Sequence, residues 1–272
     1  MDAALGISGV RHVGGVFVEA ASVCHPGVSA VEHQATCLRE AEWAAGELGQ
    51  SSRSYAVVAS ACLEDPRVGE VLRKLQGNTK VRGIRQIVNY EPSWPRNSST
   101  GDLLDNPQWV AGFQQLAVLG LSFDLQLNPS QFVRAAEVVA ASPGVPVVVN
   151  HLGCPKAWRG EEDRRGYLEG LRALAAAHPQ VYLKVSMLVY AEPEWDRDPE
   201  AAKLVREAAG IFGPQRCMLA SNDPVDHKDG SGVQRVVAGA LDIFKDWPRD
   251  DLEWLFSKTA RAAYRLGDQP SS

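Results

Sequence analysis

The sequence has no apolar run approaching the roughly 18–20 residues of a membrane span. Its start, MDAALGISGVRHVGG, lacks the charged n-region and the long apolar h-region of a secretory signal. Cysteine is sparse: Cys24, Cys37, Cys62, Cys154 and Cys217 are an odd, scattered set without a C-x-x-C pair. That spacing argues against a disulfide framework and for reduced thiols, so a cytoplasmic compartment is expected. There is no excess of positive charge either, with 28 basic against 33 acidic side chains, a formal net charge of −5 and a pI of about 5.7. Neither nucleic acid nor an anionic membrane is therefore an expected partner. No G-x-G-x-x-G or Walker pattern offers a phosphate-cradling loop. Nor does any low-complexity linker divide the chain, so 1–272 reads as one domain.

What fills the sequence instead is an alternation of short β-like runs and helix-length segments. The runs are VGGVFVEA ending at Ala20, SYAVVAS at Ser60, VRGIRQI at Ile87 and LSFDLQL at Leu127; VPVVVNH at His151, VYLKVS at Ser186 and CMLAS at Ser221 complete them. Each is rich in β-branched or aromatic residues. Between and after them, apolar spacing near 3.6 predicts helices over Val31–Leu48, Val68–Leu75, Pro107–Leu119, Pro129–Ala141, Gly160–Ala177, Glu200–Phe212, Val233–Phe244 and Asp251–Leu266. Asn128 is placed as an N-cap before Pro129. Strands alternating with helices imply βα units and a parallel sheet, and the count favours a (β/α) TIM-like barrel over a doubly wound sheet. A closed barrel of this kind has eight strands, and the sequence supplies seven.

Strand alternation sorts the side chains. In VYLKVS the apolar set Val181, Leu183 and Val185 suits the helix layer, which turns Tyr182, Lys184 and Ser186 inward. LSFDLQL turns Ser122, Asp124 and Gln126 inward by the same rule. Glu19 falls on the face opposite Val16 and Val18. Arg85 stands near the end of its strand, His151 closes another, and Asn222 and Asp223 follow the last. Polar and ionisable residues thus gather at the C-terminal ends of successive strands, where barrel enzymes place their chemistry. The competing reading is that Arg85–Glu19 and Lys184–Asp124 are satisfied structural pairs.

Five segments, RCMLASNDPVD, VPVVVNHLGCP, VRGIRQIVNYEP, GLSFDLQLNP and VYLKVSMLVYAEPEW, resemble the amidohydrolase-related (amidohydrolase 2) family. The likeness is to its metal-dependent TIM-barrel hydrolase branch, which includes sugar lactonases and 2-pyrone-4,6-dicarboxylate lactonase. It runs from about Val16 to Leu266, closing helix included. It implies hydrolysis of a lactone or similar small acyl compound at the C-terminal mouth. On the family pattern His151 matches the strand-five histidine, Arg85 the third-strand arginine, Lys184 and Ser186 the Lys-x-Ser of the sixth strand, and Asn222 the final-strand acid.

Two departures matter. The family opens with a strand ending in His-x-His, a pattern absent here, so the chain reads as entering the fold in the loop before the family's second strand. The final-strand aspartate is Asn222, and an amide is neither a proton acceptor nor a strong metal ligand. Asp223 is adjacent, but one residue along a strand reverses the facing direction. Zinc is typical of the wider family, yet the ligand set is incomplete, since a catalytic zinc needs about three protein ligands. No metal or other cofactor is therefore assigned. The expected mechanism is metal-independent: His151 or Asp223 activates water, Arg85 and Lys184 hold a substrate carboxylate or the oxyanion, and Asn222 or Ser186 donates hydrogen bonds. Glu19 lies at this site and Trp94 walls it. The expected partner is a small anionic substrate; self-association is compatible with this reading. The rivals are a catalytically silent barrel that binds a ligand, and a metal-dependent decarboxylase of the same superfamily.

Other residues carry weaker patterns. Cys24, His25, His33 and Cys37 lack the paired spacing of a zinc site. Lys156, Arg159, Arg164 and Arg165 read as a solvated helix start. His227 lies on a loop that reaches toward the mouth. Trp43, Trp109 and Trp254 read as packing residues. An absent strand leaves edges on the first and last strands, which Met1–Ser8, a rearranged loop or a second subunit is expected to cover.

Overall fold

In a computed structural model of the chain, residues 9–20, 30–94, 99, 101–156, 158–230 and 232–267 are described. Seven strands form one sheet in sequence order, every neighbouring pair parallel: β1 (Gly14–Val18), β2 (Ser54–Ser60), β3 (Val81–Ile87), β4 (Ser122–Gln126), β5 (Val147–Val149), β6 (Val181–Val185) and β7 (Cys217–Leu219). The sheet curls into an open barrel with no ladder from β7 back to β1 among the described residues. The helices are α1 (Ala30–Gly49), α2 (Val68–Gln76), α3 (Pro107–Leu119), α4 (Phe132–Ala140), α5 (Glu161–Ala177), α6 (Leu188–Ala191), α7 (Pro199–Phe212), α8 (Val233–Ile243), α9 (Arg249–Glu253) and α10 (Thr259–Tyr264). None is long and apolar enough to cross a membrane.

Local chemistry sets the boundaries. Asn106 accepts a hydrogen bond from the Gln108 N–H with Pro107 at the first helical position, which starts α3; Gly120, left-handed at φ +62°, ends it. Before α4, the Asn128 N–H donates to Gln131 Oε1 at 3.0 Å, and Pro129–Gln131 form a 3₁₀ turn leading into the helix. At Gly153, φ is +72° and a Cβ would lie 2.5 Å from the Phe132 ring, so only glycine fits there.

The register confirms the alternation. Arg85 pairs with Asp124, Asp124 with Val148, and Val148 with Tyr182, so these positions share the inner face. The outer face carries Val57, Ile84, Phe123, Leu125, Val149 and Leu183 into the main apolar core beneath the helices. There Trp109 stacks on Phe113 and both meet Phe123 edge-on, at ring-centroid distances of 5.3–5.6 Å. Trp109 is buried as expected; Trp43 instead is 59% exposed and meets Phe17 edge-on.

A second, smaller cluster lines the inner face: Val16, Val18, Ala56, Val58, Val148, Tyr182 and Met218, joined by Ala263, Tyr264 and Leu266 from the last helix. This corrects the expectation for the first strand. Val16 and Val18 point inward, and it is Phe17 that joins the helix layer. The last helix is one rod from α9 through a π turn (Trp254–Lys258) to α10. It packs on β7 and ends beneath β2 and β3, where Ser54 Oγ donates to the Gly267 carbonyl at 3.1 Å and Arg265 donates to the Arg82 carbonyl at 3.0 Å. Met1–Ser8, expected to cover the open edge, lie outside the described residues, as do Cys24 and His25.

Candidate active site

The inner residues change character toward the C-terminal ends of the strands. Above the apolar floor lie Glu19, Arg85, Asp124, Asn150, His151, Lys184 and Ser186, each at most 8% exposed. Charges at such depth persist only in partnership. Arg85 Nε donates to Glu19 Oε1 at 2.7 Å, and a second guanidinium nitrogen donates to the Glu19 backbone carbonyl. The third donates to Gln126 Oε1 at 3.3 Å and Asn150 Oδ1 at 3.4 Å. Asp124 is the other anchor. It accepts from Lys184 Nζ, from Asn150 Nδ2 at 3.0 Å, and from Tyr264 Oη at 2.9 and 3.1 Å. Glu19 meets Arg85 although Val16 and Val18 also face inward, because it lies one residue beyond the end of β1.

His151 follows β5 after Asn150. Its φ is +54°, and Leu152 (+53°), Gly153 (+72°) and Cys154 (+54°) continue in the left-handed region. Such a run of backbone costs roughly 1 kcal/mol or more per non-glycine residue and belongs where surrounding contacts over-determine it. The excursion brings His151 Nδ1 to 2.9 Å from Ser186 Oγ. Burial first, then the charges of Arg85 and Lys184, push the imidazole pKa down to about 3, so the ring is neutral at physiological pH. Burial also lowers the Lys184 pKa, against the pull of Asp124, and raises that of Tyr264 well above the usual phenol range. Cys154, pushed up to about 11 by burial, is an inert thiol.

The expected final-strand group is arranged differently. Asn222, also left-handed at φ +53°, donates through Nδ2 to Asp226 Oδ1 at 2.6 Å. Asp223 lies at the rim, 3.5 Å from the exposed ring of His227. The hydrogen bonds of Asn222 and Asp223 stay within this loop, whereas His151 is tied to Ser186. Trp94 does not present a free wall: Lys156 Nζ sits 3.2 Å from its ring centroid and donates to Asn128 Oδ1 at 3.0 Å. Lys156 is nonetheless exposed, as its place in a solvated cluster implies, whereas Arg164 of the same cluster is only 15% exposed. Arg159 bonds Glu192 and Asp198, and Arg164 bonds Glu207 at 3.0 Å, tying α5 and its approach to α7. A groove of about 310 Å³ opens beside the mouth, lined by Pro129, Ser130, Lys156, Trp158, Glu162 and Tyr167.

Asn150, Asp226 and Tyr264 belong to these polar networks and were not expected as site residues. Asn150 carried a usable signal, since alternation from Val148 turns it inward. Tyr264 carried none: it lies 140 residues from Asp124, in a helix whose pattern reads only as amphipathic.

The donor set does not suit a catalytic divalent metal. Among the described residues no three His, Cys, Asp or Glu side chains converge on a point. The one inner imidazole among the described residues is engaged by Ser186, Asp124 is saturated by three donors, and the Arg85 and Lys184 side chains lie beside them. No step is therefore routed through a metal.

An open parallel barrel with ionisable groups at its C-terminal mouth defines a TIM-barrel-like α/β protein. The family model described as Amidohydrolase matches residues 14–266, and the chain belongs to that family. A protein of Sinorhizobium fredii described as uncharacterized protein y4mH is 31% identical over 188 residues, covering 69% of this chain. The chain spans 62% of the length of that relative. Among solved structures, an amidohydrolase from Burkholderia multivorans with bound HEPES superposes with a TM-score of 0.72 at 23% identity, covering 84% of this chain and 80% of its own. A probable 2-pyrone-4,6-dicarboxylic acid hydrolase from Acinetobacter baumannii, with citric acid bound, gives 0.65 at 15%, covering 93% and 84%. A 2,6-dihydroxybenzoate decarboxylase from Rhizobium gives 0.60 at 14%, covering 92% and 83%. At these identities the structural likeness establishes the fold alone.

Proposed function

We propose that this protein hydrolyses a lactone or related small acyl compound bearing a carboxylate, by water attack at the C-terminal mouth and without a metal. The observation that carries the reading is the pair of buried cations, Arg85 and Lys184, set around a neutral His151. A lactone is an activated ester, so it needs a base, a charge to meet the oxyanion and a place for its carboxylate. His151 takes the proton of the attacking water and returns it to the departing ring oxygen. Arg85 and Lys184 hold the carboxylate and stabilise the tetrahedral oxyanion, where low dielectric strengthens their effect. A protein of the same fold, described as a probable 2-pyrone-4,6-dicarboxylic acid hydrolase and holding citric acid, supports an anionic substrate.

One observation favours a binding role instead: Arg85 with Glu19, and Lys184 with Asp124, already satisfy one another. The deciding experiment is turnover of aldonolactones and dicarboxylate lactones by the wild type, His151→Asn and Lys184→Ala. The hydrolase reading expects both variants to lose about 100-fold or more in kcat/KM, the scale of general-base and oxyanion contributions. Equal rates in all three would remove the assigned roles, and binding without turnover by the wild type would establish the alternative.

A further inference from the structure

We infer that Ser186 and His151 form a nucleophile–base dyad, and that Ser186 receives the acyl group before water does. The inference rests on the hydrolase reading and specifies what the water attacks. The first observation is the contact itself. A buried serine in an α/β core ordinarily bonds back to nearby backbone, whereas Ser186 Oγ lies 2.9 Å from His151 Nδ1. That is the separation at which an imidazole activates a hydroxyl. Residues 35 positions apart are brought together by two independent backbone devices. Alternation along β6 turns Ser186 inward beside Lys184, and the left-handed excursion at His151 swings the ring toward it.

The second observation is the backbone after the serine. Ser186 follows the last residue of β6, Met187 is left-handed at φ +56°, and α6 begins at Leu188. Other hydrolase folds present a serine at a tight strand–turn–helix corner above a parallel sheet, with the serine itself on the strained turn; here the strained residue is the next one, Met187. Methionine gains nothing from a left-handed backbone, so the surrounding structure holds this corner in place. The third is electrostatic. Burial first, and then the charges of Arg85 and Lys184, keep the imidazole unprotonated, so a ring nitrogen has a lone pair to offer the serine proton. The same cations face the negative charge that develops when the hydroxyl adds to a carbonyl.

The chemistry balances with water as the sole co-reactant. Ser186 Oγ attacks the acyl carbon, forming the Oγ–C bond, while its proton passes to His151. The tetrahedral adduct collapses with cleavage of the ring C–O bond, and the departing oxygen takes the proton from His151. Water then loses a proton to the imidazole and attacks the seryl ester; the C–Oγ bond breaks and Oγ regains its proton. One lactone and one water give one hydroxy acid. Ser186 and His151 are 2% and 7% exposed, which shields the ester between the two half-reactions.

The probe is p-nitrophenyl acetate, with acid-quenched peptide mass spectrometry. The dyad requires a burst of nitrophenol approaching one equivalent per chain, and an acetyl group on the peptide bearing Ser186. Ser186→Ala, checked for native circular dichroism, loses the burst and the adduct and hydrolyses lactones about 100-fold more slowly or worse, the scale expected for a lost nucleophile–base pair. Ser186→Cys, which keeps the size and a nucleophile, regains an acetyl adduct at the same position. Lactone turnover by Ser186→Ala at the wild-type rate would overturn the dyad and leave direct water attack standing. An adduct on Ser186 without lactone turnover would uphold the dyad and overturn the lactone reading, whereas neither adduct nor turnover would overturn both.

Discussion

The floor and the mouth of this barrel are built from the same strands and differ in nearly everything else. On the floor, Val16, Ala56, Val58, Val148, Tyr182 and Met218 pack against the last helix with ordinary extended backbone. One strand step higher, Arg85, Asp124, Asn150 and Lys184 form a hydrogen-bonded charge network. Around it, the residues after β5, β6 and β7 (His151, Met187 and Asn222 among them) take the left-handed backbone. The comparison teaches how stability and chemistry divide. Apolar contact on the floor tolerates approximation, while each buried charge at the mouth is stable only with its particular partner. Tyr264 crosses the division, its ring packed on the floor and its hydroxyl bonded to Asp124.

The largest effect expected from this contrast comes from removing one member of the network. Asp124→Leu leaves Lys184 buried and unpaired and removes the acceptor of Asn150 and Tyr264, at a cost of about 3–5 kcal/mol in urea unfolding. Adding Lys184→Met should recover most of that loss, because the uncompensated charge is then gone. On the floor, Val148→Ala should cost about 2 kcal/mol, two methyl-sized groups and a small cavity. Equal costs for Asp124→Leu and Val148→Ala would erase the distinction.

Acidity offers the next test. His151 is held neutral with a pKa of about 3, against 6.5 for the ordinary group. The unfolded chain therefore binds a proton that the folded chain refuses, so this contribution is complete above pH 6.5 and is lost as pH falls toward 3. Between pH 7 and 4 the loss is roughly 3 kcal/mol at 1.36 kcal/mol per pH unit. Comparison with His151→Asn isolates this term, and parallel pH–stability curves for the two proteins would refute it. The smallest effect is at the corner after β6. Met187→Gly relieves the left-handed backbone and should raise stability by up to about 1 kcal/mol, whereas glycine at Val148 only destabilises. A loss of stability at Met187 would mean that its side-chain packing outweighs the backbone strain.

Much of this architecture was readable from local pattern. SYAVVAS and VRGIRQI form β2 and β3 over the full expected spans, and the inward set Ser122, Asp124, Lys184 and Ser186 follows from alternation. VPVVVNH and CMLAS yield only three strand residues each, because the chain leaves the ladder on its way to the left-handed turns at His151 and Asn222. The short α6 and the π turn were not foreseen, being too brief to establish a period. Arg85–Glu19 and Lys184–Asp124 form as the polar strand ends suggested. Asn222 and Asp223 instead find their partners within their own loop.

The sequence by itself determined the βα alternation, the parallel sheet, the seven strands and the sorting of apolar and polar residues to its two faces. These follow from periodicity and steric preference within a few residues of chain. Tertiary structure alone decided which buried groups meet: Tyr264 on Asp124, Ser186 on His151, Asn222 on Asp226, and Lys156 over Trp94. Such partnerships depend on sheet curvature, on the path of the last helix and on backbone turns that non-glycine residues adopt only under surrounding constraint. No local pattern encodes them, because the free energy that selects them exists only once the sheet has curled and the last helix has packed against it.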